Sequence, residues 1–177
     1  MMKNNEKQKA EIMGISRHRM GTDGKGISTL ITFYGCPLNC KYCLNPQCKS
    51  ESTPCTYIEP KDLVNLLMVD DIYFQSTGGG IVFGGGEPLL NAEYIKEVCA
   101  LVPLQWKIRI ETSLNVKWDK IELLLPYIDQ WIIDIKDSNT EIYKNYTGVD
   151  NLKVYDNVLR LSHKTGKEKT LKSRYQR

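Results

Sequence analysis

Three cysteines, Cys36, Cys40 and Cys43, fall within eight residues in the order C-x3-C-x2-C. Thiolates this close in one loop can converge on one metal centre, and iron–sulfur clusters are held by Cys thiolates. A four-iron cluster with three protein thiolates leaves one iron without a protein ligand. An open coordination position is what separates a reactive metal site from a structural one. A molecule that chelates through an amine and a carboxylate would suit that iron. The competing chemistry is tetrahedral zinc with Cys48 or Cys55 as the fourth thiolate, and the cysteines alone leave both open. Cys99 sits in an apolar helical pattern and reads as core.

Three further groups of residues could serve such a centre. The run Gly84-Gly85-Gly86-Glu87-Pro88 lets a backbone approach a ligand closely, because no Cβ obstructs it. Glu111 is an acceptor for hydroxyls, or else a surface partner of Lys107 or Arg109. Asp134 and Lys136 are two residues apart and share one face of a strand. They could meet an ammonium and a carboxylate, or simply each other.

The elements that must position these residues are legible as alternating strands and helices. Strands are expected at 27–34, 81–83, 106–110 and 130–136, each rich in β-branched or aromatic residues. Helices are expected from Pro60, and near 91–102, 117–125, 140–147 and 153–162. Alternation of this kind implies a parallel sheet with helical crossovers. The cysteines then follow the first of these strands, the glycine run the second and Glu111 the third, while Asp134 and Lys136 close the fourth. All would share the C-terminal edge of the sheet, where α/β folds build their sites.

Size and composition fit one domain. The chain has 177 residues, is 41% hydrophobic and 25% charged, and carries a net charge of +3. That charge is too small and too dispersed to argue for nucleic acid. No apolar run reaches the roughly 18 residues of a membrane span, and the polar start is not a secretory signal. A cytoplasmic location is expected, where six cysteines point to metal or redox chemistry rather than disulfides. Residues 1–20 read as an N-terminal extension with a frayed polar start, 21–163 as the core domain, and 164–177 as a frayed basic C-terminal tail.

Cys36-x3-Cys40-x2-Cys43, with Tyr42 just before the third cysteine, together with Gly85-Gly86-Glu87, resembles the radical S-adenosylmethionine (SAM) superfamily. Within it, the chain is similar to the glycyl-radical-enzyme activating enzymes of the pyruvate formate-lyase activating type. Asp23-Gly24-Lys25-Gly26 resembles their DGPG lead-in, with Lys25 in place of proline. Glu111-Thr112 and Asp134-Ile135-Lys136 fall where they carry an acidic-Thr and a D-x-K motif. The resemblance covers about Asp23 to Leu161.

It implies an α/β partial (β/α) barrel of the radical SAM type, shortened after the fourth strand. It implies a [4Fe–4S] cluster on Cys36, Cys40 and Cys43, and SAM held near Tyr42, Gly84, Gly85, Gly86, Glu87, Glu111, Asp134 and Lys136. The implied reaction reduces SAM to methionine and a 5′-deoxyadenosyl radical, which takes hydrogen from a glycine of a partner glycyl radical enzyme. A low-potential donor such as flavodoxin or ferredoxin, and an anaerobic setting, follow from that chemistry. The alternatives are an anaerobic ribonucleotide reductase activase or another radical SAM reaction, and, in a different class, a shortened non-catalytic cluster-binding or zinc-binding protein.

Overall fold

The computed structural model describes residues 9–164 and the backbone of 170–175. Seven strands form one sheet in the order β3-β1-β2-β4-β5-β6-β7. The strands are β1 (Ala10–Met20), β2 (Ile27–Phe33), β3 (Thr56–Ile58), β4 (Gly80–Gly85), β5 (Lys107–Thr112), β6 (Gln130–Ile135) and β7 (Thr170–Tyr175). From β2 to β7 every neighbouring pair is parallel, whereas β1 runs antiparallel to both β2 and β3. The helices are α1 (Pro60–Leu67), α2 (Asp71–Thr77), α3 (Ala92–Leu101), α4 (Trp118–Leu124), α5 (Thr140–Thr147) and α6 (Leu152–Lys164). No helix among the described residues is long and apolar enough to cross a membrane.

This is the partial (β/α) barrel expected, with two corrections at its ends. The stretch read as an N-terminal extension supplies β1, which pairs with β2 from Ile12↔Phe33 to Met20↔Ile27. Residues 1–8 lie outside the described residues. The basic tail is not wholly a tail: Thr170–Tyr175 adds a fifth parallel strand along β6, with Gln130↔Thr170 through Ile135↔Tyr175 in register. A strand at a sheet margin is held by its backbone ladder, so it does not need an apolar sequence of its own. The expected tail residues 165–169 and 176–177 are outside the described residues.

Alternation along the strands sorts side chains onto two faces. Ile31, Phe33, Ile81, Phe83, Ile110, Trp131 and Ile133 are buried under the helices, where the Phe33 ring meets Phe83 and Tyr94, each with centroids 6.0 Å apart. Burying each such side chain contributes about 1.5–3 kcal/mol. On the opposite face Leu30, Gly84 and Glu111 come together. A Cβ built on Gly84 would lie 3.1 Å from Leu30 Cδ1 and 3.6 Å from Glu111 Cβ, so glycine lets these two side chains close over the strand.

The turn between β1 and β2 is fastened by charge. Arg19 donates to both carboxylate oxygens of Asp23, at 2.6 and 2.9 Å, and Ser28 Oγ donates to Asp23 at 2.9 Å. Burial alone would raise the Asp23 pKa, but these hydrogen bonds outweigh it and hold the carboxyl below its ordinary value. A lowered carboxyl pKa adds stability that is complete above the unfolded value, about 4, and is lost as pH falls through the folded one. Asp23→Asn should therefore cost about 1–3 kcal/mol at neutral pH by urea unfolding. The gap to wild type should narrow as pH is taken from 5 toward 2.5; a gap that stays constant would contradict the assignment.

Candidate metal and cofactor site

The parallel register sets the strand ends side by side: Phe33 pairs with Gly85, Phe83 with Ile110, and Thr112 with Ile133. Four loops therefore meet above one edge of the sheet. They enclose a cavity of about 270 Å³ lined by Cys36, Cys40, Cys43, Tyr42, Gly85, Gly86, Glu111, Asp134 and Lys136, among others. Of the expected site residues, only Gly84 and Glu87 do not line it. Gly84 lies just below, on the face it shares with Leu30 and Glu111.

The cysteine loop is held from three sides. Asn39 N donates to Thr147 O at 2.8 Å and Lys41 N to Tyr146 O at 3.0 Å, which pins the loop to the end of α5. Gly35 N donates to Cys48 O at 2.8 Å, and Asn45 Nδ2 donates to Gly85 O at 3.1 Å, which ties it to the glycine run. Pro46–Lys49 forms a short 3-10 turn that carries Cys48 into the interior. The Tyr42 and Tyr146 rings lie 6.0 Å apart. Tyr42 and Leu44 project from the rim, 78% and 83% exposed.

Glu87 turns out to be a strut. It is 1% exposed and its carboxylate accepts four hydrogen bonds: from Thr112 Oγ1 at 2.6 Å, Ser113 Oγ at 2.6 Å, Ser113 N at 3.0 Å and Leu89 N at 3.2 Å. Burial pushes its pKa up, against the pull of these donors. It fixes the end of β5 to the end of β4, and thereby sets where Glu111 and the glycine run stand. Gly86 is required by the same packing, since a Cβ there would sit 2.1 Å from Gly35 O.

Asp134 and Lys136 meet each other as well as the cavity. Lys136 Nζ lies 2.5 Å from Asp134 Oδ2, and both side chains are mostly buried. Burial disfavours the Lys136 charge, but Asp134 more than offsets this and holds the ammonium above its ordinary pKa. Asp134 Oδ1 is buried with no hydrogen-bond partner among the described residues. An acceptor left bare inside a polar cavity is a place for a ligand donor.

Burial pushes the Cys36 thiol up to about 12 and raises Cys40 as well. As free thiols both keep their protons at neutral pH, and a metal must displace them. All six cysteines are free. Among the described residues no three Cys, His, Asp or Glu side chains are close enough to share a single metal ion. Thiolates that each bind a different iron of a cluster need not be that close.

Two lining residues stood outside the site that the family resemblance implies, although Cys48 was the alternative fourth thiolate of a zinc centre. Arg19 reaches the cavity from β1, a strand hidden by its interrupted alternation and the charged run Arg17-His18-Arg19. Cys48 is 1% exposed and lines the same cavity. Its spacing from Cys43 matched no ferredoxin pattern, and only the fold brings it here. Cys99 packs beside the core as expected.

The family model described as the Radical SAM superfamily matches residues 30–175. The (2S)-3-sulfopropanediol dehydratase activating enzyme of Klebsiella oxytoca is 29% identical, over 79% of this chain and 63% of its own length. The pyruvate formate-lyase-activating enzyme of Clostridium pasteurianum is 31% identical, over 77% of this chain and 59% of its own. The chain thus spans about three fifths of the length of these relatives. Among solved structures, QueE from Escherichia coli aligns with a TM-score of 0.54 at 12% identity, covering 95% of this chain and 84% of its own. SuiB of Streptococcus suis, bound to the precursor peptide SuiA, aligns with a TM-score of 0.59 at 16% identity, covering 79% and 30%. At such identities the likeness is one of fold.

The buried strut gives a test that needs no cofactor. Glu87→Gln keeps the shape but replaces one acceptor oxygen with a donor, and four donors already point at that carboxylate. It should lower stability by about 1–3 kcal/mol in chemical denaturation. An unchanged midpoint would mean that the carboxylate does not hold the two loops together.

Proposed function

Because the chain belongs to the Radical SAM superfamily, whose cofactors are a [4Fe–4S] cluster and SAM, we propose that it is an activating enzyme that installs a glycyl radical on a partner protein. The observation that carries this is the convergence of the three loop cysteines, Gly85-Gly86, Glu111 and the Asp134–Lys136 pair on one cavity. The similarity to two activating enzymes supports the choice of reaction.

The residues present fit the cofactors. Cys36, Cys40 and Cys43 are free thiols on one cavity wall. In this proposal they would be the cluster ligands, and a cluster held by three thiolates would keep one iron available for SAM. Gly84 lets Leu30 and Glu111 pack close beneath the site, where a Cβ would crowd Leu30. The bare Asp134 Oδ1 is ready to accept from an N–H of the SAM amino group or from a ribose hydroxyl, and Lys136 to face a carboxylate. Glu111 faces the same space and suits the ribose hydroxyls. When bound, the reduced cluster and SAM supply the 5′-deoxyadenosyl radical that removes a hydrogen atom from the target glycine.

The protein's own part is to orient. Glu87 fixes the two strand ends, so the glycine run and Glu111 hold their spacing without rearrangement. Leu30, Leu38 and Leu44 supply apolar side chains to the lining, beside the polar ones. The exposed Tyr42 and Leu44 make an apolar rim where a glycine-bearing loop of the partner can seat. Reduction at so low a potential calls for flavodoxin or ferredoxin as electron donor and an anaerobic cytoplasm.

The test is anaerobic reconstitution with iron and sulfide, reduction with dithionite and chromatography of the SAM products. Formation of 5′-deoxyadenosine, abolished by Cys40→Ala, is the expected result. A brown protein that leaves SAM intact would contradict catalysis by this chain.

A further inference from the structure

We propose that two copies of this chain pair about a two-fold axis through the outward face of α1 and α2. The surface lies apart from the cavity, and the inference does not rest on the cluster chemistry.

From Pro60 to Thr77 the backbone is helical almost throughout, as α1, a 3-10 turn at Met68–Asp70, and α2. The inward stripe has helical spacing: Leu63, Leu67, Asp70 and Phe74 are all buried. Asp70, its one charged member, is held by Arg17 Nη1 and, at 2.8 Å, by Thr29 Oγ1. The outward stripe is apolar as well. Leu66, Val69, Ile72 and Tyr73 recur three or four residues apart, and the 3-10 turn brings side chains three apart into line. All four are exposed, Val69 by 67% and Ile72 by 70%. A helix that is apolar on both sides is a helix covered on both, and the sheet covers one.

Charge is missing from this face. Between Leu63 and Gly79 the charged residues are Asp70 and Asp71 alone. Asp70 points inward, and Asp71 is occupied within the chain, accepting from Trp106 Nε1 and from Gln75 Nε2, each at 2.7 Å. The bond from Trp106 also holds the turn after α3 beside α2, and that stretch exposes Leu101 and Leu104. Asn65, Gln75 and Ser76 are exposed and supply an uncharged polar flank.

Area and symmetry decide the occupant. The exposed apolar surface is on the order of 600 Å², at the upper end of what a monomer leaves in one patch. Two such faces together reach the roughly 1,200 Å² at which standard interfaces begin. A two-fold axis sets residues near it against their own copies. A charged face would repel itself there, whereas an apolar face with a neutral flank matches itself. Pairing this way keeps the site free: α2 ends at Gly78, beside the start of β4, while the cavity opens past the other ends of the strands.

The experiment is sedimentation velocity over a concentration series of wild type, Val69→Glu, Ile72→Glu and Leu159→Glu. Leu159 is an exposed leucine on α6, which follows β6 rather than β3, so it controls for adding a charge at any apolar surface position. The expected result is a species of twice the chain mass for wild type and Leu159→Glu. Association should weaken by about tenfold or more in Val69→Glu and Ile72→Glu, because each buries an unpaired carboxylate in the interface. Their far-UV circular dichroism should match wild type, since both side chains are already at the surface. A wild type that stays monomeric at the highest concentration would overturn the dimer. Association as tight in both face variants as in wild type, or equally weakened in Leu159→Glu, would overturn this face as its interface. If the face variants lose their fold, hydrogen exchange of wild type decides: protection of residues 66–73 that grows with concentration supports the proposal, and concentration-dependent protection confined to other segments overturns it.

Discussion

The site depends first on the Glu87 carboxylate buried between two strand ends. Four donors surround it, three of them from Thr112 and Ser113. A parallel sheet fixes its strands by backbone pairing but leaves the loops beyond them unconstrained. Here that freedom is removed at the point where the glycine run of β4 meets the end of β5. The energetic stake is high because a buried carboxylate deprived of its donors is costly, whereas one fully bonded is rigid. Loops held this way can present Gly85, Gly86 and Glu111 at a set spacing before any ligand arrives, which is what preorganisation requires.

A second constraint works from the other side. The cysteine loop leaves β2 and must return over the cavity; its backbone is anchored to α5 and to Cys48, and the Asn45 side chain ties it to Gly85. The cation–anion pair of Lys136 and Asp134 lies across from it at the end of β6. Strand order and loop anchoring thus bring thiols, a bare carboxylate oxygen and an ammonium around one space. Beneath them the Arg19–Asp23–Ser28 knot closes the β1–β2 turn, and Arg19 reaches up to the cavity wall. Each part contributes a different chemistry, and none would make a site alone.

Most of this was legible where side chains carry the signal. The apolar runs of β2, β4, β5 and β6 and the periodic α4, α5 and α6 are where the residues put them, and so is Pro60 at the head of α1. The convergence of Cys36, Cys40, Cys43, Gly85, Gly86, Glu111, Asp134 and Lys136 followed from placing polar residues at strand ends. What escaped was held by backbone or by distant contacts. In β1, register shifts between Ile12 and Gly14 and between Ser16 and Arg19 break the two-residue alternation, and the charged Arg17-His18-Arg19 looks like loop. In β7 the ladder to β6 is enough, whatever the side chains. Cys48 reaches the cavity through a bond from Gly35, thirteen positions earlier, which no local spacing encodes. Glu87 was legible as a member of the site but not as its strut, since its partners lie 25 and 26 residues away.

The central claim is that one cavity holds a cluster with an open iron and brings SAM to it. The most direct measurement is the electron paramagnetic resonance spectrum of the reduced, reconstituted protein with and without SAM. A reduced [4Fe–4S] signal whose shape changes when SAM is added, and does not change with methionine-free adenosine, is the predicted result. A signal indifferent to SAM, or a colourless protein carrying zinc, would contradict it.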